Sequence, residues 1–355
     1  MKKALIAMSG GVDSSVAARL MTEQGFQCIG CTMKLYNNED AGVQTSRTCC
    51  SLEDVEDARS VAYRLGMPFY VFNFTEEFRT QVIGRFVESY EMGMTPNPCI
   101  DCNRYMKFDR LYERAKTLGY DYVVTGHYAR IEKRDGRFLL KKGLDETKDQ
   151  SYVLYSMTQE QLAHTLFPLG ELKKAEVRAI AEQNGFINAD KPDSQDICFV
   201  PDGDYARVIE LYTGKECMPG HFVDQQGRIL GTHKGIIRYT IGQRKGLGIS
   251  SETPLYVCRI CPENGNVVLG RNEDLFRTEV NVSEFHWISG LAPKEAFRCK
   301  AKIRYRQQEQ AATVILKGEA KVHIIFDEPQ RAITPGQAAV LYDGDIVLGG
   351  GMITG

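Results

Sequence analysis

Ser9-Gly10-Gly11-Val12-Asp13-Ser14-Ser15 sits between an apolar run, Ala4 to Met8, and a helical pattern, Ser14 to Gln24, that Gly25 closes. A strand, a glycine loop and a helix in that order form an anion cradle. Glycines let the backbone come close to a phosphate, and the unpaired N–H groups and positive dipole end of the helix point at the charge. The loop lacks the Lys of G-x-x-x-x-G-K-[ST], and the nearest run, Gly265 to Asn272, does not complete that pattern, so the Walker type is excluded.

Outward from the loop, the apolar pattern alternates strand and helix as far as Thr125. Strands are expected at Ala4 to Met8, Cys28 to Leu35, Phe69 to Phe74 and Tyr122 to Thr125. Helices are expected at Ser51 to Leu65, Thr75 to Tyr90 and Asn103 to Leu118. The first of these opens with Ser51-x-x-Asp54, carries Leu52, Val55, Ala58, Ala62 and Leu65 on one face and stops at Gly66. This predicts an α/β, doubly wound parallel sheet, whose ligands bind at the carboxyl ends of the strands, where Ser9, Met33 and Gly126-His127 gather. Two polar-alternating runs around Asp135-Gly136 predict a hairpin within Arg130 to Lys142. A helix is expected from Lys173 to Asn184, ending at Gly185. After Pro201-Asp202-Gly203, glycine and short β-like runs dominate, which places domain boundaries near 204 and 277.

At 355 residues, two or three domains are expected. Hydrophobic residues make up 43% and charged ones 25%, an ordinary globular composition. No apolar run spans a bilayer, and the first strand begins so early that no cleavable leader is expected, so a cytoplasmic protein without membrane contact is expected. The formal charge of −2 gives no global argument for nucleic acid. Locally, Arg298, Lys300, Lys302, Arg304 and Arg306 alternate with Cys299, Ala301, Ile303 and Tyr305. One strand there would carry a cationic row about 26 Å long, and Tyr305 would face away from it. Gly242 to Gly248 adds a second cationic turn.

Eleven cysteines in such a protein read as thiols, redox groups or ligands rather than a disulfide framework. Cys28 and Cys31 lie three apart on one expected strand, as do Cys258 and Cys261 on another, so each pair faces opposite sides. Cys99 and Cys102 follow Pro96 and Pro98 and belong to a loop or helix start, where both thiols can face one site. Cys198 lies in a polar stretch, Asn188 to Phe199. Cys49-Cys50 has no assigned role.

The loop at 9 to 15 resembles the pyrophosphate loop of enzymes that split ATP between its α and β phosphates. With Thr95-Pro96-Asn97-Pro98, Cys102-Asn103, Thr125-Gly126-His127-Tyr128, Lys148-Asp149-Gln150-Ser151, Asp193 to Phe199 and Tyr239 to Gly248, the whole chain resembles the tRNA-specific 2-thiouridylases. The resemblance implies three domains: a pyrophosphate-loop catalytic domain at 1–203, a small β-rich tRNA-binding domain at 204–276 and a C-terminal β-barrel at 277–355. It implies replacement of the C2 oxygen of a tRNA wobble uridine by sulfur, using ATP and a protein persulfide brought by a cysteine desulfurase or relay protein. Oxide is a hopeless leaving group and AMP a good one. Implied nucleotide contacts are Ala7, Met8, Ser9, Gly10, Gly11, Val12, Asp13, Ser14, Met33 and Gly126, with Asp13 helping to place Mg²⁺.

For the sulfur step the resemblance implies that Cys198 carries the persulfide and that Cys102 either releases sulfide or closes a transient Cys102–Cys198 disulfide. Implied tRNA contacts are Asn97, Pro98 and Cys99 at the target base, with His127, Lys148, Asp149, Gln150, Arg304, Tyr305 and Gln337. His127 reads equally as a structural histidine. Cys99 stands where some members carry Asp, which opens a second reading in which Cys99, Cys102 and Cys198 hold an iron–sulfur cluster. A different class, an ATP-dependent amide or C–N ligase, shares the loop but has no use for loop thiols or a basic β-rich tail.

Overall fold

The computed structural model describes residues 1–37, 52–193, 197–200 and 202–354. Cys49, Cys50, the expected Ser51 cap and Ser194 to Asp196 of the thiol-bearing stretch lie outside the described residues.

The glycine loop joins β1 (Lys3–Ala7) to α1 (Val12–Glu23), and β2 (Gln27–Lys34), α2 (Leu52–Arg64), β3 (Phe69–Asn73) and β4 (Tyr122–Val124) follow in the expected alternation. Ala4, Leu5 and Ile6 are all completely buried, as a central parallel strand covered on both faces requires. Gly66 takes a φ of +67°, which ends α2 in the left-handed region as expected of a helix-terminal glycine. The stripe on α2 is narrower than expected. Ala58, Val61 and Ala62 are buried, but Leu52 is 86% exposed.

A hairpin, β5 (Ala129–Arg134) and β6 (Arg137–Lys142), leaves the sheet after β4. Its turn residues Asp135 and Gly136 have φ of 51° and 78°, the left-handed pair that a two-residue hairpin turn needs. The chain then returns as β7 (Thr165–Leu166), giving an all-parallel order β3-β2-β1-β4-β7. The winding direction reverses between β1 and β4, so the crevice at their carboxyl ends is the topological switch point. Leu5, Cys31 and Val123 feed the core on one face, and Ala4, Ile6, Cys28 and Val124 the core on the other. Cys28 and Cys31 thus point to opposite sides, as their spacing predicts.

Helical runs at 75–91 and 98–117 cover the first face, and a helix Lys174–Gln183 packs against α1 on the second. After the helix Tyr205–Thr213, β8 (Gly220–Val223), β9 (Ile229–His233), β10 (Tyr256–Cys261) and β11 (Asn266–Gly270) make a separate sheet ordered β10-β11-β8-β9. The last segment contains β12 (Phe276–Trp287), β13 (Phe297–Lys302), β14 (Gln310–Leu316), β15 (Val322–Arg331), β16 (Ala338–Asp343) and β17 (Ile346–Thr354). They close antiparallel in the circuit β12-β15-β14-β13-β16-β17-β12, a barrel without a free edge. The hairpin of the first segment joins this barrel, with β6 pairing to β17 at Lys141 and Ile346.

The five-cation strand is corrected. β13 ends at Lys302, because Ile303 is buried and a turn follows in which the Gln307 N–H donates to the Arg304 carbonyl at 3.2 Å. Arg304 and Arg306 therefore leave the strand, which removes the conflict over the direction of Tyr305. Arg298 is occupied by Asp327 at 2.6 and 2.5 Å. Arg304 donates to the Ala332 carbonyl at 2.6 Å and to Thr334 Oγ1 at 3.2 Å.

Candidate active site

The loop is held from behind by its own hydroxyls and by a remote amide. Ser14 Oγ and Ser15 Oγ donate to the Gly11 carbonyl at 3.0 and 3.1 Å, and Asn188 Nδ2 donates to the Gly10 carbonyl and to Ser15 Oγ, both at 2.9 Å. Gly10 has φ +76°, and a Cβ there would stand 2.3 Å from the Asp54 carbonyl oxygen. Gly126, two residues beyond β4, lies against the same loop: its Cβ would meet the Asp13 carbonyl carbon and the Ser14 nitrogen at 2.8 Å each. No side chain fits between the two strand ends. The first amides of α1 have no helical partners by construction and face this crevice.

Asp13 is the polar centre. Lys174 Nζ donates to both its oxygens at 2.8 and 2.9 Å, and the Tyr128 hydroxyl donates to Oδ1 at 2.7 Å. Burial and the neighbouring Asp13 push the Tyr128 hydroxyl far above the ordinary tyrosine value, so it stays a donor. Lys174 also reaches Asp193 at 2.7 Å, and Asp193 receives Lys148 at 2.8 Å and Arg178 at 3.4 Å. Burial alone would raise the Asp193 carboxyl; Lys148 and Lys174 outweigh it and hold the group below the ordinary carboxylate value. Lys191 pairs with Asp54 and Asp57 of α2 at 2.6 and 2.7 Å. Asn188, Lys191 and Asp193 therefore lay the segment 188–193 across the loop. Lys174, Tyr128, Asn188 and Asp193 were not singled out from sequence. The available signals were the Thr-Gly-His-Tyr motif and the polarity of the stretch before Cys198.

The second wall comes from the barrel. A cavity of about 1440 Å³ is lined by Ser9, Gly11 and Asp13, by Lys148, Asp149 and Gln150, and by Lys302 and Tyr305. Tyr305 shares this cavity with Asp149 and is within electrostatic reach of Asp149 and Cys99, and its ring lies 5.9 Å from that of Tyr152. Asp149 and Gln150 shape their own loop: Asp149 Oδ1 accepts from the Gly143 and Ser151 amides at 3.1 Å each, and Gln150 Oε1 from the Tyr128 amide at 3.0 Å. Gln337 Nε2 donates to the Thr95 carbonyl at 2.6 Å, and the Thr95 amide donates to the Pro335 carbonyl at 2.9 Å, which docks the barrel on the loop before Asn97.

A family model described as the tRNA methyl transferase HUP domain matches residues 2–202. A tRNA-specific 2-thiouridylase MnmA of Clostridioides difficile is 53% identical over 99% of this chain and 98% of its own length. The chain belongs to the tRNA-specific 2-thiouridylase family. A second 2-thiouridylase, of Acetivibrio thermocellus, is 51% identical over 99% of both chains. Models of a tRNA methyl transferase PRC-barrel domain and an aminomethyltransferase beta-barrel domain match residues 207–271 and 277–353. A solved 4-thiouridine synthetase in an RNA complex with bound ATP aligns at TM-score 0.39, with 20% identity over 56% of this chain and 45% of that one.

In this 2-thiouridylase-family chain, Cys102 and Cys198 are both half-buried and pack on the same core, which also holds Leu5, Phe78 and Phe199. Phe199 wedges edge-on against Phe78 and Phe86 at 5.7 and 5.3 Å, and the Tyr36 hydroxyl donates to the Cys198 carbonyl at 2.6 Å. Cys99 is exposed at the start of the helical run 98–117, where Asn97 Oδ1 accepts its amide at 3.2 Å. Prolines and cap thus put Cys99 and Cys102 at a helix start, in agreement with their reading. Neither Cys102 nor Cys198 lines the large cavity. Among the described residues no three His, Cys, Asp or Glu side chains converge as a metal site. Next to Cys102, burial pushes the Asp101 carboxyl up to about 6 against the pull of Arg85. His127 is buried, with Nδ1 2.6 Å from Thr125 Oγ1 and Nε2 3.4 Å from Lys107, between the rings of Phe108 and Phe167. These are contacts that a structural histidine makes. No helix is long and apolar enough to cross a membrane among the described residues.

Proposed function

We propose that this protein is the ATP-dependent tRNA sulfurtransferase that converts the anticodon wobble uridine to 2-thiouridine. The observation that carries the reading is the cavity that joins the glycine loop to the Lys148 loop and to Tyr305 of the barrel. A nucleotide on the loop and a nucleobase entering from the barrel side meet there, and the relatives are 2-thiouridylases along their full length. The methyl-transfer wording of the family model has no counterpart in a pyrophosphate loop, whereas thiolation uses it. An amide or C–N ligase would leave Cys102 and Cys198 without work. The three family-model matches support a catalytic domain at 1–203, a central tRNA-binding domain at 204–276 and a barrel at 277–355.

In this reading Ala7 to Ser14, Met33 and Gly126 hold ATP. Lys174 resting on both Asp13 oxygens marks a place that favours positive charge, so Asp13 fits a role beside Mg²⁺, which when bound neutralises charge on the departing pyrophosphate. Asn97, Pro98 and Cys99 receive the flipped base, with Lys148, Arg304, Tyr305 and Gln337 around it. The C2 oxygen attacks the α-phosphorus and pyrophosphate leaves, so C2 now bears AMP. A persulfide on Cys198, loaded by a sulfur-donor protein, attacks C2 and expels AMP. The Cys102 thiolate then attacks Sγ of Cys198: the outer S–S bond breaks, its sulfur stays on C2, and a Cys102–Cys198 disulfide forms that an external thiol reduces. Such turnover belongs in a reducing compartment, the cytoplasm.

The test is transfer of ³⁵S from cysteine and a desulfurase to transcribed tRNA. Label should appear only with ATP, and the Cys198→Ala and Cys102→Ala variants should lose it. AMP release driven by a small amine without tRNA would replace this reading by the ligase.

A further inference from the structure

The barrel offers the cavity a selected set of cations. Arg298 is paired with Asp327, and Arg304 turns one nitrogen to the Ala332 carbonyl and Thr334 and does not line the cavity, whereas Lys300, Lys302 and Arg306 line the same cavity as Ser9, Gly11 and Asp13. Lys142 from the hairpin also lines it and is paired with Glu309. Lys302 is the deep member. Its ammonium lies 5.9 Å from the ring centroids of both Tyr152 and Tyr342, and burial lowers its pKa although Asp149 and Glu309 work the other way. Among the described residues, Lys300, Lys302 and Arg306 enter no ion pair. A half-buried ammonium without a carboxylate partner is an unfavourable arrangement that an incoming anion relieves.

We propose that Lys302 anchors a phosphate subsite, with Lys300 and Arg306 at its rim, that takes the backbone of the RNA strand whose base enters the cavity. The proposal rests on the tRNA reading above. Lys300 and Lys302 alternate on β13, so their side chains stand about 6.6 Å apart on one face, close to the step between successive phosphates of an extended strand. A run of spaced cations suits a polyanionic strand better than the compact triphosphate of a nucleotide already held by the loop.

The experiment measures tRNA affinity across a salt series, and ATP affinity at one salt, for wild type, Lys302→Gln, Lys302→Arg and Lys300→Gln. Lys302→Gln should weaken tRNA binding several-fold and lower the slope of log K against log salt by about 0.7 to 0.9, the value of one phosphate contact. Lys302→Arg should restore the slope, and ATP affinity should stay unchanged in all variants. An unchanged slope in Lys302→Gln overturns the subsite, and a loss of ATP affinity with an unchanged slope reassigns it to the nucleotide. Should Lys302→Gln not fold, the exposed Lys300→Gln gives the same slope measurement. A wild-type protein that binds no tRNA would reject the tRNA reading itself, an outcome distinct from any slope.

Discussion

Lys174 and Asp13 form a two-pronged ion pair, with the ammonium 2.8 and 2.9 Å from the two carboxylate oxygens, and the same ammonium holds Asp193 at 2.7 Å. One nearly buried cation thus fastens the segment 188–193 to the nucleotide loop. Replacing it by Lys174→Met leaves two carboxylates facing each other, and breaking such a pair costs about 3 kcal/mol. Urea unfolding should show that loss, and ATP should no longer stabilise the variant. Full ATP stabilisation in Lys174→Met would sever the link between this cation and the nucleotide site.

The crevice at the strand ends tolerates no methyl group. Gly10→Ala combines a φ of +76° with a contact of 2.3 Å to the Asp54 carbonyl, and Gly126→Ala pushes on the backbone of Asp13 and Ser14 at 2.8 Å. Both should reduce nucleotide affinity at least tenfold. Gly66→Ala is the control: its φ is +67° but nothing lies within 4 Å, so it should cost about 1 to 2 kcal/mol of strain and leave the nucleotide affinity intact. Equilibrium dialysis with ATP, set beside urea midpoints, separates the two effects.

Metal content follows from the placement of the thiols. Because no three His, Cys, Asp or Glu side chains converge as a metal site among the described residues, protein purified without oxygen should contain iron and acid-labile sulfide far below one cluster per chain. Stoichiometric iron lost in Cys99→Ser would restore the cluster reading.

Acidification should weaken the fold above the ordinary carboxylate range. Burial holds His127, His233 and His286 below the ordinary histidine value, His127 furthest and with help from Lys107. The unfolded chain therefore binds protons at these sites first, so their contribution is complete above about pH 6.5 and is lost as the pH falls below it. Asp101, at about 6, acts in the opposite direction, since the native state takes its proton first. Three groups outweigh one, and unfolding free energy should drop between pH 7 and 5, with up to about 1.4 kcal/mol per pH unit from each histidine. His127→Gln should flatten that slope; an unchanged slope would mean that His127 is not the buried neutral group described.

The parallel sheet was legible because its signals are local. Continuous apolar runs, the glycine loop and the helix-ending Gly25, Gly66 and Gly185 each act within a few residues, and Asp135-Gly136 states its own turn. The centre of the site was not legible for the opposite reason. Lys174 meets Asp13 across 161 positions, and Asn188 meets Gly10 across 178, so neither partnership leaves a periodic trace. Alternation at 298–306 was real as far as Lys302, but alternation alone cannot reveal that Ile303 dives into the barrel and ends the strand. Leu52 likewise keeps helical spacing and is exposed.

The pairing of Lys141 with Ile346 ties an early hairpin to the last strand of the chain. During synthesis that hairpin emerges some two hundred residues before its partner and must wait with one side unpaired. A chain released before residue 346 would therefore present an adhesive border to its neighbours, so truncated products should clump on the ribosome or soon after leaving it, whatever the health of their catalytic half.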